Sequence, residues 1–187
     1  MPRHHVFRLL TAVLCLGCGA ALAQEQRPAL AQIPFEAQQT LVLLLQQNCE
    51  AQEADRFRDS LKALHVQLEP ILWEAYRLGP TAEVVRANRV QMTERYQERQ
   101  AWLETEGARL FGEEEAARFG RVGPEEYVER ELESAAINWR TNAVKGLGVV
   151  GTGESLPDLE RIAEDPESPT AVAAEAAIER IEAGAPR

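Results

Sequence analysis

The sequence predicts an all-α fold of antiparallel helix pairs stacked as a short α-solenoid, preceded by a cleaved signal peptide. Three observations predict it. Apolar residues recur at spacings of three and four through much of the chain, which is the period of an amphipathic helix. Glycines and prolines interrupt that pattern about once per helix length. The first 23 residues contain a basic, an apolar and a small-residue zone, in that order.

The N-terminal segment 1–23 has the organisation of a secretory signal peptide. Arg3 and Arg8 precede the apolar run 9–22, and a small-residue cleavage site follows at Ala23. The run is short for a membrane-spanning helix, although a retained N-terminal anchor is an alternative. We therefore expect a bacterial protein that is periplasmic or secreted, with no transmembrane segment after cleavage near Ala23.

A second interpretation of the leader is a lipid anchor. Cys18 follows Gly17 in a sequence that resembles a lipoprotein cleavage box. The leucine that such a box usually has three residues earlier is replaced by Cys15. Modification at Cys18 would attach the protein to the membrane, whereas cleavage at Ala23 would release it.

Composition restricts the classes of partner and chemistry. The formal net charge is −10, and removing 1–23 takes away two of 20 basic residues but none of 30 acidic ones, which leaves about −12. Such a surface repels phosphates, so we expect neither nucleic acid nor anionic lipid as a partner. The length of 187 residues suits one compact domain.

The residues before Pro124 divide into a linker, 24–34, and an N-terminal helical region, 35–123. Two prolines and small or polar residues predict that the linker is flexible. In the helical region we expect a leucine-rich helix over 36–50, an amphipathic helix over 54–68, a helix from Pro70 to Gly79, a long exposed helix over 81–111 and one short helix between Gly112 and Gly123.

The long helix should have a sparse inward stripe, formed by Val85, Met92, Tyr96 and Leu103. Such a helix either crosses the outside of the stack or pairs with another subunit. The C-terminal region, 124–187, is expected to complete one domain with 35–123. Its first helix should run from Pro124 to about Leu147.

Glycine and serine residues in the C-terminal region predict where its helices end and begin. Gly146, Gly148 and Gly151 predict a left-handed helix end. Ser155, three residues before Asp158, predicts an N-terminal cap on the next helix.

Two apolar stripes follow these caps. The first consists of Leu156, Leu159 and Ile162. Ser168 and Pro169 fit the start of the last helix, whose inward face we expect to contain Val172, Ala176 or Ala177, and Ile181.

The strings R-x-x-A-V-x-G-L-G-x-x-G, S-L-P-x-L-x-x-I-A-x-D-P and V-x-x-x-A-A-I-x-x-I occur in that order within 140–181. This segment resembles a HEAT repeat of the kind seen in HEAT-like lyase and adaptor proteins. The resemblance implies stacked helix pairs with a surface for another protein. The sequence departs from the family at Ala173, where a basic residue is frequent, so the last helix is expected to be a terminal cap. A weaker likeness between 68–75 and 156–163 suggests an earlier repeat unit.

After the leader, the sequence contains one cysteine, Cys49, and one histidine, His65. Cys49 is a candidate for an intermolecular disulfide, although its leucine-rich surroundings favour a buried thiol. His65 has no nearby histidine or cysteine, so the sequence predicts no metal site there.

Acidic runs at 113–115 and 125–126, with Glu129, Glu131 and Glu133, could suggest calcium binding or acid-base catalysis. Adjacent residues on a helix point about 100° apart, so these carboxylates do not converge by themselves. Solvated helix faces explain them better. No catalytic residue, cofactor or metal is therefore predicted.

Aromatic residues are the remaining candidates for a contact surface, because they dominate binding hot spots. Trp73 and Trp139 lie on apolar stripes and are expected in the core. Trp102 and Tyr127 are the candidate partner contacts.

The sequence favours an exported protein-protein interaction or scaffolding module over an enzyme. Two alternatives are an accessory subunit or lyase-like enzyme that binds a ligand in a helical groove, and a redox-sensitive dimer linked through Cys49. A deep pocket that collects carboxylates would favour the enzyme, whereas a continuous shallow face would favour the module.

Overall fold

The computed structural model describes residues 27–47, 54–64 and 67–184. This part of the chain contains helices and turns but no β-strand, which confirms the predicted all-α class. The α-helices are α1 (Pro28–Ala31), α2 (Phe35–Gln46), α3 (Ala54–Ala63), α4 (Glu69–Leu78), α5 (Ala82–Trp102), α6 (Ala108–Phe111), α7 (Glu113–Phe119), α8 (Pro124–Val150), α9 (Leu156–Ala163) and α10 (Ala171–Gly184). A π-helix, Leu103–Gly107, joins α5 to α6, and a 3-10 helix, Gly153–Ser155, precedes α9.

Helix α8 is the element on which the others are arranged, because it contacts α2, α3, α4, α5 and α10. The prediction of one helix running from Pro124 through Leu147 is confirmed. Trp139, Ala143, Val144 and Leu147 are at most 2% exposed. Burial of each large apolar side chain stabilises the fold by about 1.5–3 kcal/mol, so the second half of α8 forms the centre of the hydrophobic core.

The described helices form two parts, which we call the body and the arm. The body consists of α1 to α4, the second half of α8, α9 and α10, and these elements share one hydrophobic core. The arm consists of α5 after its first turn, the π-helix, α6, α7 and the first half of α8. Its own buried apolar residues lie outside that core, and they are Met92, Leu103, Ala116 and Val128.

Helix α5 and the first half of α8 are antiparallel. Arg89 Nη1 donates to Glu129 Oε1 over 2.7 Å, and further along α5 the Tyr96 hydroxyl donates to the carbonyl of Val122 over 3.0 Å. Residues later in α5 therefore pair with residues earlier in the segment that leads into α8, which is the antiparallel arrangement. The end of this hairpin, residues 102–119, is called the tip. There α6 and α7 pack mainly on each other and on the π-helix.

The glycines of α8 serve close packing rather than capping. The expected left-handed helix end was wrong, because α8 continues through Gly146 and Gly148 to its end at Val150. Gly151 has φ −67° and ψ 156°, which is an extended conformation and not the left-handed one. A Cβ at Gly148 would lie 2.8 Å from the Cα of Ala177, so the missing side chain lets α10 approach the backbone of α8.

Ser155 does not cap α9, and that prediction was also wrong. Its backbone is already helical, and its side chain caps no amide of α9. The hydroxyl instead donates to Glu69 Oε1 over 2.5 Å and accepts from Trp73 Nε1 over 3.0 Å. The side chain of Thr152 accepts from the Glu154 amide and caps the preceding 3-10 helix. Ser155 thereby connects α4 to the start of α9.

The apolar stripe of α9 was predicted correctly, and so were Ala177 and Ile181 on α10, whereas Val172 was assigned to the wrong face. Leu159 is fully buried, and Leu156 and Ile162 pack against the core. On α10, Val172 is 79% exposed, and the buried face is formed by Ala173, Ala174, Ala177 and Ile181. The inward assignment of Val172 was wrong because alanines face α8 and α9, where only small side chains fit.

The start of α10 also differs from expectation. The helix begins at Ala171, two residues after Pro169. Ser168 still acts near this terminus, since its side-chain oxygen accepts from the Thr170 amide over 3.4 Å.

Residues 27–33 of the predicted linker are anchored on α4. The Glu74 carboxylate accepts from the amides of Ala29 and Leu30 at 3.0 and 3.1 Å. Arg27 donates to the carbonyl of Gly79 over 2.8 Å, and Ile33 is buried in the core. The flexible linker expected from the prolines is therefore docked over this part.

Candidate functional site

Three candidate residues, and the predicted signal peptide 1–23 with its cleavage site at Ala23, lie outside the described part of the chain. Cys18 and Cys49, the candidate lipid and disulfide sites, are among them. So is His65. The lipid anchor and the Cys49-linked dimer therefore stay predictions.

Carboxylates do not converge within residues 27–47, 54–64 and 67–184. No group of three or more His, Cys, Asp or Glu side chains in these ranges is placed to hold a metal ion. Glu129 pairs with Arg89 across the arm, and Glu126 lies 3.6 Å from Arg130 on the same helix. These acids thus have partners on solvated helix faces.

A groove of about 530 Å³ lies between α5 and α8, and it opens widely to solvent. Its lining mixes apolar and charged side chains, namely Pro80, Val85, Arg89, Glu126, Glu129, Arg130, Leu132, Glu133 and Ala136. A second space, inside the body next to Trp139, has only about 10 Å³, which is at the lower limit for one water molecule. Neither is a closed site for a small ligand.

The three tryptophans have different environments. Trp139 is 2% exposed, and its Nε1 donates to the carbonyl of Ala75. Trp73 is half-buried and bonded to Ser155. Trp102, the expected partner contact, is 43% exposed at the end of α5. The burial of Trp139 and the exposure of Trp102 agree with the sequence interpretation, whereas Trp73, which was expected in the core, is only partly buried and packs against it.

Trp102 and Tyr127 belong to different aromatic clusters. Tyr127 is half-buried within the arm, 5.5 Å from the ring of Tyr96 and 5.8 Å from the guanidinium of Arg99. Trp102 instead contacts Phe111 at the tip. The structure therefore does not bring the two candidate contacts together, and Tyr127 supports the arm from inside.

The rings of the tip form a continuous exposed cluster. Trp102 and Phe111 have centroids 6.1 Å apart, and Phe111 and Phe119 5.9 Å apart, both in edge-to-face geometry. Together with Leu110, we call these residues the aromatic patch. Their exposed fractions are 43% for Trp102, 57% for Leu110, 53% for Phe111 and 42% for Phe119.

Sequence reasoning identified Trp102 but missed the other members of the patch. Phe111 and Phe119 each stand directly before a glycine, Gly112 and Gly120, at the end of a short helix. An aromatic residue at a helix end, next to a glycine, was the signal that could have found them.

Unusual backbone conformations surround the patch. The π-helix begins directly after Trp102, and its last residue, Gly107, is buried. A Cβ on Gly107 would lie 3.3 Å from the Trp102 ring. Gly112 has φ 86° and ψ 155°, a conformation that is almost exclusive to glycine. The unusual backbone conformations therefore occur in the same segment as the exposed aromatic side chains.

Two buried donors below the tip have no hydrogen-bond partner among the described residues: Arg99 Nη1 and Gln100 Nε2. The other Arg99 nitrogen, Nη2, donates to the carbonyl of Phe119 over 2.9 Å. Each unsatisfied donor costs about 1–3 kcal/mol. Among the described residues, the base of the tip thus has two unsatisfied buried atoms, and the core of the body has one, Asn142 Oδ1.

The charges of the tip are predominantly negative. Its two arginines are paired locally, Arg109 with Glu106 at 2.6 Å and Arg118 with Glu115 at 3.4 Å. Three further carboxylates are exposed and have no ion pair in the described part of the chain, namely Glu104, Glu113 and Glu114. The aromatic patch is therefore accompanied by uncompensated negative charge.

The part of the chain that the structure describes has no helix with the length and apolarity needed to cross a membrane. Comparisons of the chain with protein-family models, with curated proteins and with solved structures found no match. We therefore infer its function from the geometry and charge of the aromatic patch.

Proposed function

We propose that this chain is a protein-protein interaction or scaffolding module, which holds its partner on the aromatic patch. The observation that carries the proposal is the series of exposed rings formed by Trp102, Phe111 and Phe119. Tryptophan and other aromatic residues dominate the energy of protein interfaces, because they bury a large area at small entropic cost.

The cost of exposing these side chains supports a role in binding. A well-packed monomer has no need to leave three contacting rings and a leucine in water, whereas single exposed apolar residues are ordinary. Leu43 and Val172, on the body, are such single residues. The patch differs from them because its rings are already packed together and offer one surface.

Local strain at the same place supports the proposal further. The π-helix, the conformation of Gly112 and the unpaired donors of Arg99 and Gln100 all lie at or directly below the tip. Such features are costly and cluster at functional sites.

We also propose that the protein is exported, with cleavage near Ala23, to the periplasm or the cell exterior. The basic, apolar and small-residue zones of 1–23 support this. We further propose that 140–181 is a HEAT-like unit. Its support is the sequence strings quoted above and the packing of α10 on both α8 and α9.

The test compares two double variants in extracts of the native cells. Trp102→Ser with Phe111→Ser removes the patch, and Leu43→Ser with Val172→Ser removes matched exposed apolar residues from the body. On gel filtration we expect the native chain and the body variant to elute in a complex, and the patch variant to elute as the free chain. Elution of all three chains at the free size would overturn the proposed function, and so would an unchanged complex with the patch variant.

A further inference from the structure

The charges beside the aromatic patch restrict which kind of partner fits it. Glu104 lies two residues after Trp102, and Glu113 and Glu114 follow Phe111 across Gly112. All three carboxylates are exposed. Residues two apart on a helix point about 200° apart, so Glu104 does not share the face of Trp102, but all three acids contribute to the electrostatic field that a partner on the rings meets.

Glu104 is the informative member of this group. Glu113 and Glu114 are in the first turn of α7, where negative charge stabilises a helix without any partner. Glu104 lies in the π-helix, about two turns before the helical segment ends at Phe111, which is beyond the last turn where the helix dipole acts. The helix dipole therefore does not account for a carboxylate at this position.

The nearby cations do not compensate these acids. The tip contains five carboxylates and two arginines, and both arginines are held by Glu106 and Glu115. Arg99, directly below the tip, is partly buried and donates to the carbonyl of Phe119, and the next exposed cation is Arg121, beyond α7. The free tip therefore carries a net charge of about −3 next to its apolar surface by formal counting.

On this basis we infer that the partner presents a basic amphipathic segment, with apolar side chains for the rings and a lysine- or arginine-rich polar face that the net negative charge of the tip attracts. The inference rests on the proposed function and specifies the chemistry of its partner. Four apolar side chains make a small surface, which matches one face of a short helix.

The same charges disfavour the other occupants. A second copy would bring two tips of net negative charge together, and like charges across an interface oppose association. Nucleic acids and anionic membranes are repelled for the same reason. A basic segment is attracted both by the rings and by the acids.

The test titrates the full chain with three synthetic peptides by isothermal calorimetry at low and at high salt. The peptides have identical leucine faces, and their polar faces are made of lysine, glutamine or glutamate. We expect the lysine peptide to bind at least about tenfold more tightly than the glutamate peptide at low salt, with the ratio reduced at high salt because ions screen exposed charges.

Two charge variants locate the effect. The variant Glu104→Gln, Glu113→Gln, Glu114→Gln should lose the preference for lysine. The control Glu164→Gln, Glu175→Gln, Glu179→Gln, with exposed acids on the body, should keep it. Phe111→Ser should weaken the binding of all three peptides. Far-ultraviolet circular dichroism checks that every variant is folded.

Each other outcome overturns the inference. Equal affinity for the three peptides, or no binding of any, would contradict a basic partner, while the gel-filtration test separately decides whether the patch is an interface at all. Binding of neutral or anionic lipid vesicles that Phe111→Ser abolishes would assign the tip to a membrane. A concentration-dependent dimer that Phe111→Ser dissociates would assign it to a second copy.

Discussion

A Cβ added to Gly148 would lie 2.8 Å from the Cα of Ala177, so the backbones of α8 and α10 touch at this point. Alanine at position 148 would improve helix propensity by about 1 kcal/mol, but the neighbouring atom belongs to a backbone that cannot turn aside. We expect Gly148→Ala to lower the free energy of unfolding by about 1–2 kcal/mol, as overpacking does.

The matched control is Gly146→Ala, in the same helix. A Cβ at Gly146 would meet the side-chain carbons of Leu72 at 3.0 and 3.1 Å, and a side chain gives way more easily than a backbone. We expect a smaller loss there, below about 1 kcal/mol. Urea denaturation measures both, and an equal loss in the two variants would contradict the close approach of α10.

The hydroxyl of Ser155 is predicted to hold α4 to α9. Replacing it by Ser155→Ala leaves Trp73 Nε1 without its acceptor and Glu69 without its closest donor. Because an unsatisfied buried donor is costly, we expect a loss of about 1–3 kcal/mol in the free energy of unfolding. The control Ser134→Ala, on the exposed side of α8, should change it by less than about 0.5 kcal/mol. Equal stabilities in urea would refute the role of Ser155.

Gly112 should determine the conformation of the tip without affecting the body. No atom outside its chain neighbours lies within 4 Å of a Cβ built there, so the cost of Gly112→Ala comes from φ 86° alone. We expect this substitution to destabilise α6 and α7 by about 1–3 kcal/mol. Amide hydrogen exchange should accelerate there and stay unchanged in α8 beyond Trp139.

The control for that substitution is Gly153→Ala, which also has open space but no positive φ. Gly153→Ala should leave the rates of amide hydrogen exchange in the tip unchanged. Slower exchange of α6 and α7 in Gly112→Ala would mean that the glycine is not required by the backbone.

Trp102 should be the tryptophan most accessible to a quencher, because Trp139 is buried and Trp73 is half-buried. We expect Trp102→Phe to remove the fluorescence that acrylamide quenches most strongly. The control Trp73→Phe should leave that component in place. Quenching that is unaffected by Trp102→Phe would show that the aromatic patch is covered in the free chain.

Periodicity predicted the parts of the fold that long helices form. The spacing of Val128, Trp139 and Leu147 identified α8 as one helix, and Leu159 was correctly assigned to the core. These assignments succeeded because a stripe repeated over several turns specifies one face of a helix.

The sequence was less informative where a residue's role depends on a distant neighbour. The local sequence does not distinguish a glycine that ends a helix from Gly148, whose missing side chain lets Ala177 of α10 pack against α8. Asn142 is another case: it is fully buried in α8, and its Nδ2 donates to the carbonyls of Leu45 and Gln47. Its role follows only from the position of α2.

The candidate site was only partly predictable for a different reason. Trp102 closes a long helix whose inward face was known, so its exposure could be inferred. Phe111 and Phe119 lie on helices of four and seven residues, which are too short to define an apolar face. The π-helix between Trp102 and α6 packs against α7, and no local sequence pattern indicated it.

The most direct test of the patch as a partner-binding surface is site-specific photo-crosslinking in the native cells. A photoreactive phenylalanine analogue replaces Leu110 in one protein and Val172 in a second, since both residues are exposed apolar positions. We predict one discrete adduct from position 110, lost when Trp102→Ser is added, and none from position 172. Adducts of equal yield from both positions, or none from position 110, would contradict the account.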